Sequence, residues 1–212
     1  MVVAVVVATV ADGDGIVSAG MARPTIMLYP GAGSDRDHSS LRAVEERMSG
    51  RATVDRLDFP YRTAGRKAPD RAPVLLASIR ADLAARSRRR GPVVMGGRSM
   101  GGRMTTMVAA DVDGEGPVAR LAGLVLVSYP LHPPGKPDRL RVEHLPDVHV
   151  PCLFVSGTKD PFGTPDELAR WTATIPADVD HVWIDGGRHD LRGADARIAE
   201  VIDDFVTRVT AA

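Results

Sequence analysis

Short apolar runs alternate with longer segments of helical spacing along almost the whole chain. This alternation constrains the fold more than any other feature of the 212 residues. Strand patterns are read at Thr25–Tyr29, Ala52–Phe59, Pro92–Gly96, Leu121–Ser128, Pro151–Ser156 and His181–Ile184. Helical patterns are read at Leu41–Met48 (with Ser39 or Ser40 as cap), Val74–Arg86, Ser99–Ala110, Pro165–Thr172 and Ala194–Val209. Pro60–Pro73, rich in Arg, Gly and Pro, reads as a loop. Strands alternating with helices make βαβ units, and the parallel strands of such units are covered on both faces. They should then be unbroken aliphatic runs, as Leu124–Val127 and Val93–Met95 are. The expected class is α/β, with a mostly parallel central sheet and helices on both faces. In such sheets ligands bind beyond the carboxyl ends of the strands, so the turns there are where chemistry is sought.

Composition narrows the function classes. Basic and acidic residues balance at 27 each, for a formal net charge of +0. A nucleic-acid binder carries a clustered basic excess, so no nucleic-acid partner is expected. The one basic run, Arg86–Arg90, follows a helical pattern and reads as a solvated helix end. A single cysteine, Cys152, leaves no internal disulfide to form; within Pro151–Val155 it reads as a small buried hydrophobe. Val2–Val10 is apolar but too short to span a bilayer, and it lacks a basic n-region. Residues 1–20 are therefore an N-terminal extension, an edge strand with a turn at Asp12–Gly15 or a disordered lead, ahead of one domain at 21–212. No membrane partner is expected, and the expected location is cytoplasmic.

Four strand ends carry candidate chemistry. After Pro92–Gly96 comes Gly97-Arg98-Ser99-Met100-Gly101, a G-x-S-x-G placed between a strand and a helix. A serine there sits on a sharp, strained turn at a helix N-terminus, so its neighbours must be small. The helix end favours negative charge, and the backbone N–H of Met100 is a candidate donor to an oxyanion. In a chain with 21 glycines, the plain reading is a tight turn with a capping serine. After Thr25–Tyr29, the loop Pro30-Gly31-Ala32-Gly33-Ser34 offers a second donor, the Ala32 N–H. It lacks the third glycine of a dinucleotide fingerprint and the Gly-Lys-Ser/Thr of a phosphate loop. Asp160, in Gly157-Thr-Lys-Asp-Pro161, is a candidate acid or simply a turn-forming residue. His189, in Gly186-Gly-Arg-His-Asp190, is a candidate general base. Among the other histidines, His38 lies near the Ala32 loop, His132 and His144 lie in the excursion 129–150, and His149 and His181 flank strands. The order Ser99, Asp160, His189 is the Ser…Asp…His order of α/β-hydrolases.

At these residues the chain resembles the small α/β-hydrolases related to dienelactone hydrolase. Within them it is most like the branch that holds the testis-expressed protein thirty and a hydrolase-like subunit of the NSL acetyltransferase complex. The matching stretches are Pro30–Gly33, Gly97–Arg103, Ser128–Lys136 continuing through Leu140–Leu145, Gly157–Asp160 and Gly186–His189. The resemblance runs from about Thr25 to the end, and Tyr129-Pro-Leu-His-Pro-Pro134 is its most specific part. It implies the α/β-hydrolase fold and triad roles for Ser99, Asp160 and His189. It implies no metal, no organic cofactor and no particular substrate. Many relatives carry His-Gly where this chain has Pro30-Gly31.

The resulting expectation is a serine hydrolase that cleaves an ester, thioester or related acyl bond of a small molecule. Ser99 is the nucleophile, His189 the base and Asp160 the acid that orients it; Asp185 and Asp190 are competing acids. The Ala32 and Met100 N–H groups hold the oxyanion. A non-catalytic interaction domain on the same scaffold, or an acyltransferase with the same triad, are the alternatives. Tyr129–Val150, stiffened by prolines, reads as a short cap over the site or as a structural crossover. Arg98 and Arg103 flank the serine and favour an acidic acyl group, or Arg98 makes a structural ion pair.

Overall fold

The computed structural model describes residues 22–211, so the readings for 1–20 lie outside the described residues. The chain runs β1 (Thr25–Tyr29), α1 (Ser39–Arg47), β2 (Thr53–Arg56), α2 (Pro60–Thr63), α3 (Ala72–Ala85) and β3 (Val93–Arg98). It continues α4 (Met100–Ala109), β4 (Leu121–Val127), β5 (Cys152–Gly157), α5 (Pro165–Thr172), β6 (Val179–Ile184) and α6 (Asp195–Thr210). All six strands lie in one sheet in the order β2-β1-β3-β4-β5-β6, and every pairing is parallel.

Strand periodicity sorts the core into two layers. Along β1, Ile26 and Leu28 face α1 and α6, packing with Leu41, Val44, Ile198 and Ile202. Met27 and Tyr29 face the other way, into a cluster with Leu75 and Ile79 of α3, Met104 of α4 and Leu168 of α5. Each large aliphatic side chain removed from water this way contributes roughly 1.5–3 kcal/mol. Both faces of the sheet are therefore covered, which is why β1, β3 and β5 are buried at every position. Cys152 belongs to the second cluster, and burial pushes its thiol up to about 12, so it is an inert hydrophobe.

Local chemistry shifted several boundaries. His38, and neither Ser39 nor Ser40, caps α1: its Nδ1 accepts the Ser40 N–H at 3.3 Å. The segment expected to be loop contains α2, and α3 begins inside it at Ala72. In both cases a proline occupies the first turn, where its missing N–H costs nothing and its fixed φ suits a helix. The excursion 129–150 folds inward: Tyr129, Leu131, Leu145 and Val148 are core residues, and Leu145–Asp147 forms a single 3₁₀ turn.

The layer of α1 and α6 is tied by Asp203, which receives Arg47 Nε at 2.9 Å and an Arg51 Nη2 at 2.6 Å. Burial works to raise the Asp203 pKa, but the Arg51 and Arg47 hydrogen bonds outweigh it and hold the carboxyl below its ordinary range. A carboxyl depressed in the folded state adds stability above its unfolded pKa and loses it as pH falls through the folded value. Both arginines are half-exposed, so solvent moderates the effect. Asp203→Asn should lower the urea unfolding free energy by about 1 kcal/mol at neutral pH. The gap from wild type should close in acid. A constant gap across that range would contradict this account.

Candidate active site

The order of the strands creates the crevice. β1 and β3 are neighbours, yet the chain leaves β1 toward β2 on one side and leaves β3 toward β4 on the other. At such a reversal the loops after the two strands diverge, which opens a cleft at their carboxyl ends. The loop after β1 is Pro30–Ser34, and the turn after β3 holds Ser99. Both line one cavity of about 590 Å³, together with His38, Phe162 and His189.

The turn at Ser99 is strained. Ser99 has φ 47° and ψ −115°, a conformation that L residues rarely adopt, and it begins α4 with no side-chain cap bond. The capping role that the plain reading gave this hydroxyl is therefore not its role. Space for the turn comes from Gly97 and Gly101. A Cβ on Gly97 would lie 2.0 Å from the Tyr29 carbonyl oxygen, and one on Gly101 would lie 2.4 Å from the same atom. No side chain can be accommodated against a backbone atom at that range. The turn thus presses β3 and α4 onto the end of β1 and lifts the Ser99 hydroxyl into the cleft.

The three residues expected to act together are brought together. Ser99 Oγ lies 2.8 Å from His189 Nε2, and His189 Nδ1 lies 2.9 Å from Asp160 Oδ2 and 3.0 Å from Oδ1. Asp160 follows β5, is buried, and its Oδ1 also accepts the Phe162 N–H at 2.9 Å. With the carboxylate on Nδ1, the Nδ1–H tautomer is favoured, which leaves Nε2 to accept from the serine hydroxyl. The competing acids lie elsewhere: Asp185 accepts Thr158 Oγ1–H at 3.3 Å, and Asp190 accepts the Arg192 N–H at 3.5 Å.

His189 follows β6, an edge strand three places from β3, so its loop must cross about 14 Å at the usual strand spacing. Two residues hold it there. Phe162 stacks on the imidazole with ring centroids 3.9 Å apart. Arg98, the last residue of β3, is buried and donates to the carbonyls of His189 at 2.9 Å and Asp190 at 3.1 Å. The ion pair considered for Arg98 is absent among the described residues, because its donors are spent on backbone oxygens. Phe162 lies two residues after Asp160, but no role could be read for it from the sequence.

Ala32 and Met100 line the same cavity as Ser99. Neither backbone N–H has an acceptor among the described residues. The Ala32 loop is fixed from α2: Tyr61 Oη donates to the Ala32 carbonyl at 3.0 Å and Arg62 Nη2 to the Gly33 carbonyl at 3.3 Å. Within the loop the Ser34 N–H bonds the Gly31 carbonyl at 3.1 Å, so the unbonded Ala32 N–H is the donor it offers to the cleft. Of the remaining histidines, His144 bonds Thr106 Oγ1 at 2.8 Å, and burial, then the Arg103 charge, push it down to about 4. His181 bonds Thr172 Oγ1 at 2.9 Å between Phe154 and Trp183. His132 lies 3.5 Å from Glu167. His38 lines the cavity, and burial, then Arg98, lower its pKa. Among the described residues no group of three His, Cys, Asp or Glu side chains could hold a metal ion.

The described helices include none long and apolar enough to cross a membrane. A parallel six-stranded sheet with its serine turn at the switch point defines the α/β-hydrolase class. Residues 22–210 match the alpha/beta hydrolase domain family, and the chain belongs to it. Solved structures share the fold at low identity. Est1E from Butyrivibrio proteoclasticus is 14% identical, with TM-score 0.72 and 92% of each chain covered. XC6422 from Xanthomonas campestris, an α/β serine hydrolase without lid, is 17% identical, with TM-score 0.72, over 92% of this chain and 86% of that one. The type II thioesterase BorB of the borrelidin biosynthetic cluster is 17% identical, with TM-score 0.65, over 86% of this chain and 92% of that one.

Removing the Arg98 clamp should loosen the loop that carries His189. In Arg98→Met, amide hydrogen exchange over Gly186–Leu191 should quicken by about tenfold while β1 and β3–β5 stay protected. Unchanged exchange in that segment would show that the loop does not depend on Arg98.

Proposed function

We propose that this chain is a serine hydrolase that cleaves an ester, thioester or related acyl bond through a Ser99–His189–Asp160 triad and an acyl-enzyme. The observation that carries this reading is the continuous hydrogen-bonded chain from the Ser99 hydroxyl through His189 to the buried Asp160 carboxylate, opening into a cavity. A cavity of about 590 Å³ suits a small-molecule acyl substrate. We also place the chain with the dienelactone-hydrolase-related branch, on the stretches Gly97–Arg103 and Ser128–Lys136.

In this mechanism the substrate carbonyl enters with its oxygen toward the Ala32 and Met100 N–H groups. His189 Nε2 takes the Ser99 proton as Oγ forms its bond to the carbonyl carbon. Charge moves to the oxygen, where two preorganised donors and the N-terminus of α4 stabilise it. The imidazolium that forms is stabilised by Asp160, which also holds the ring in the reactive tautomer. His189 then gives the proton to the leaving oxygen or sulfur, and the acyl group stays on Ser99. Water enters, loses a proton to Nε2 as its oxygen bonds the acyl carbon, and the Ser99 Oγ–acyl bond breaks with that proton passing from Nε2 to Oγ, which frees the acid and restores the enzyme. Arg98 and Phe162 act through His189 and are positioning residues.

A fluorophosphonate probe should add once to the protein, read by intact mass, and Ser99→Ala should remove the adduct. His189→Ala should abolish labelling, whereas His144→Ala should not, since His144 is bonded to Thr106 away from Oγ. Asp160→Asn should slow hydrolysis of a short p-nitrophenyl ester by about 10³–10⁴-fold. No adduct on folded protein would overturn the reading. A mild Asp160→Asn effect would move the acid role to another carboxylate.

A further inference from the structure

Ten of the arginines among the described residues pair with a carboxylate. Arg56, Arg80 and Arg86 each hold two carboxylates at hydrogen-bond distance. Arg103 and Arg141, in the wall of the Ser99 cavity, have no such partner. Neither guanidinium donates a hydrogen bond to a described residue, and neither meets a carboxylate among them. Arg103 Nε is buried with no hydrogen-bond partner among the described residues. A buried donor left without an acceptor is costly, so such a group is retained where something else satisfies it.

The other charged groups of the cavity do not compensate them. Asp70 lines the same wall, but Arg66 holds both of its oxygens, at 2.7 and 3.0 Å. Arg98 is committed to the His189 and Asp190 carbonyls. His144, next to Arg103, is held neutral by burial and that arginine's charge. The two cations also feel each other: burial, and after it the Arg103 charge, lower the pKa of Arg141. Two planar guanidinium groups with free donors, repelling each other in a partly desolvated cleft, suit an anion with two or more oxygens.

Their placement relates that anion to the reacting serine. Arg103 is four residues after Ser99, and its N–H bonds the Ser99 carbonyl at 3.0 Å, so it stands one helical turn along the same face of α4. Arg141 comes from the excursion after β4, whose backbone is fixed by Tyr129 Oη donating to the Arg141 carbonyl at 3.3 Å. We infer that Arg103 and Arg141 form an anion subsite beside Ser99, and that the substrate is an ester or thioester bearing a carboxylate or phosphate group. This rests on the hydrolase reading of Ser99 and adds a substrate class to it.

The test compares charged and neutral substrates of equal acyl length. One pair is p-nitrophenyl hydrogen adipate against p-nitrophenyl hexanoate, which puts a carboxylate on the acyl side. The other is hexanoyl-coenzyme A against its N-acetylcysteamine thioester, which puts phosphate on the leaving side. In wild type, kcat/KM for the charged member of one pair should exceed that of its neutral partner by about tenfold or more, and the pair identifies the source of the anion. Arg103→Gln and Arg141→Gln should each reduce that ratio by about tenfold, and Arg103→Lys should restore part of it. Ratios near one in both pairs, on protein that the fluorophosphonate probe labels, would overturn the subsite and leave the hydrolase standing. If neither labelling nor turnover occurs, the hydrolase reading fails. Titration of Ser99→Ala with monomethyl adipate and methyl hexanoate then decides the subsite: tighter binding of the anion supports it, and equal or no binding overturns it.

Discussion

The close approach of β3 and α4 to the end of β1 is the constraint on which the site depends. Gly97 and Gly101 bring backbone to within a distance of the Tyr29 carbonyl that no Cβ could occupy. That contact holds Ser99 at a positive φ without a cap and directs its hydroxyl away from the helix it begins. Backbone strain of this kind costs about 1–3 kcal/mol and persists only where surrounding structure over-determines it. Here the over-determination is visible: β3 lies in the middle of a sheet covered on both faces, and α4 packs on both that sheet and α3.

The remaining parts of the site are brought to Ser99 by loops from separate strands, and each loop has its own anchor. The Ala32 loop hangs from Tyr61 and Arg62 of α2. Asp160 sits at the end of β5 with its carboxylate tied to the Phe162 N–H. The His189 loop crosses from the edge of the sheet and is fastened by Arg98 and by the Phe162 ring. Phe162 therefore touches both partners of the serine, one through its backbone and one through its side chain. Precision in the Ser99–His189 distance follows from these fastenings, because an edge-strand loop alone would not fix an imidazole.

Arginine serves opposite purposes in different parts of the molecule. Outside the cleft it closes surface networks with aspartate, as Arg80 does with Asp111 and Asp113. Arg98 uses its buried charge to bind backbone oxygens and hold a loop. Arg103 and Arg141 keep their donors for the cavity. The equal totals of acidic and basic residues conceal this sorting, since net charge carries no information on which cations are left uncompensated.

Much was determined by the sequence alone. Unbroken aliphatic runs alternating with helical spacing fix a parallel sheet covered on both faces, because only that arrangement buries such runs. Glycines around Ser99 mark the sharp turn, and the order Ser99, Asp160, His189 points to one site at the carboxyl ends of the strands. Tertiary structure decided the rest. The reversal between β1 and β3 is a matter of strand order, which pairing across the sheet sets and no local pattern encodes. The helix at Pro60 was hidden by residues that resemble loop composition, and it forms because Tyr61 buries its ring in the core. Arg98, read as a contact for an acidic acyl group or as half of an ion pair, became a clamp on two carbonyls, an outcome that depends on a loop 91 residues away. No role could be read for Phe162 or for Arg141, although Arg141 lies in the matching stretch Leu140–Leu145, and both acquire a place at the site only through the contacts that long-range packing brings about.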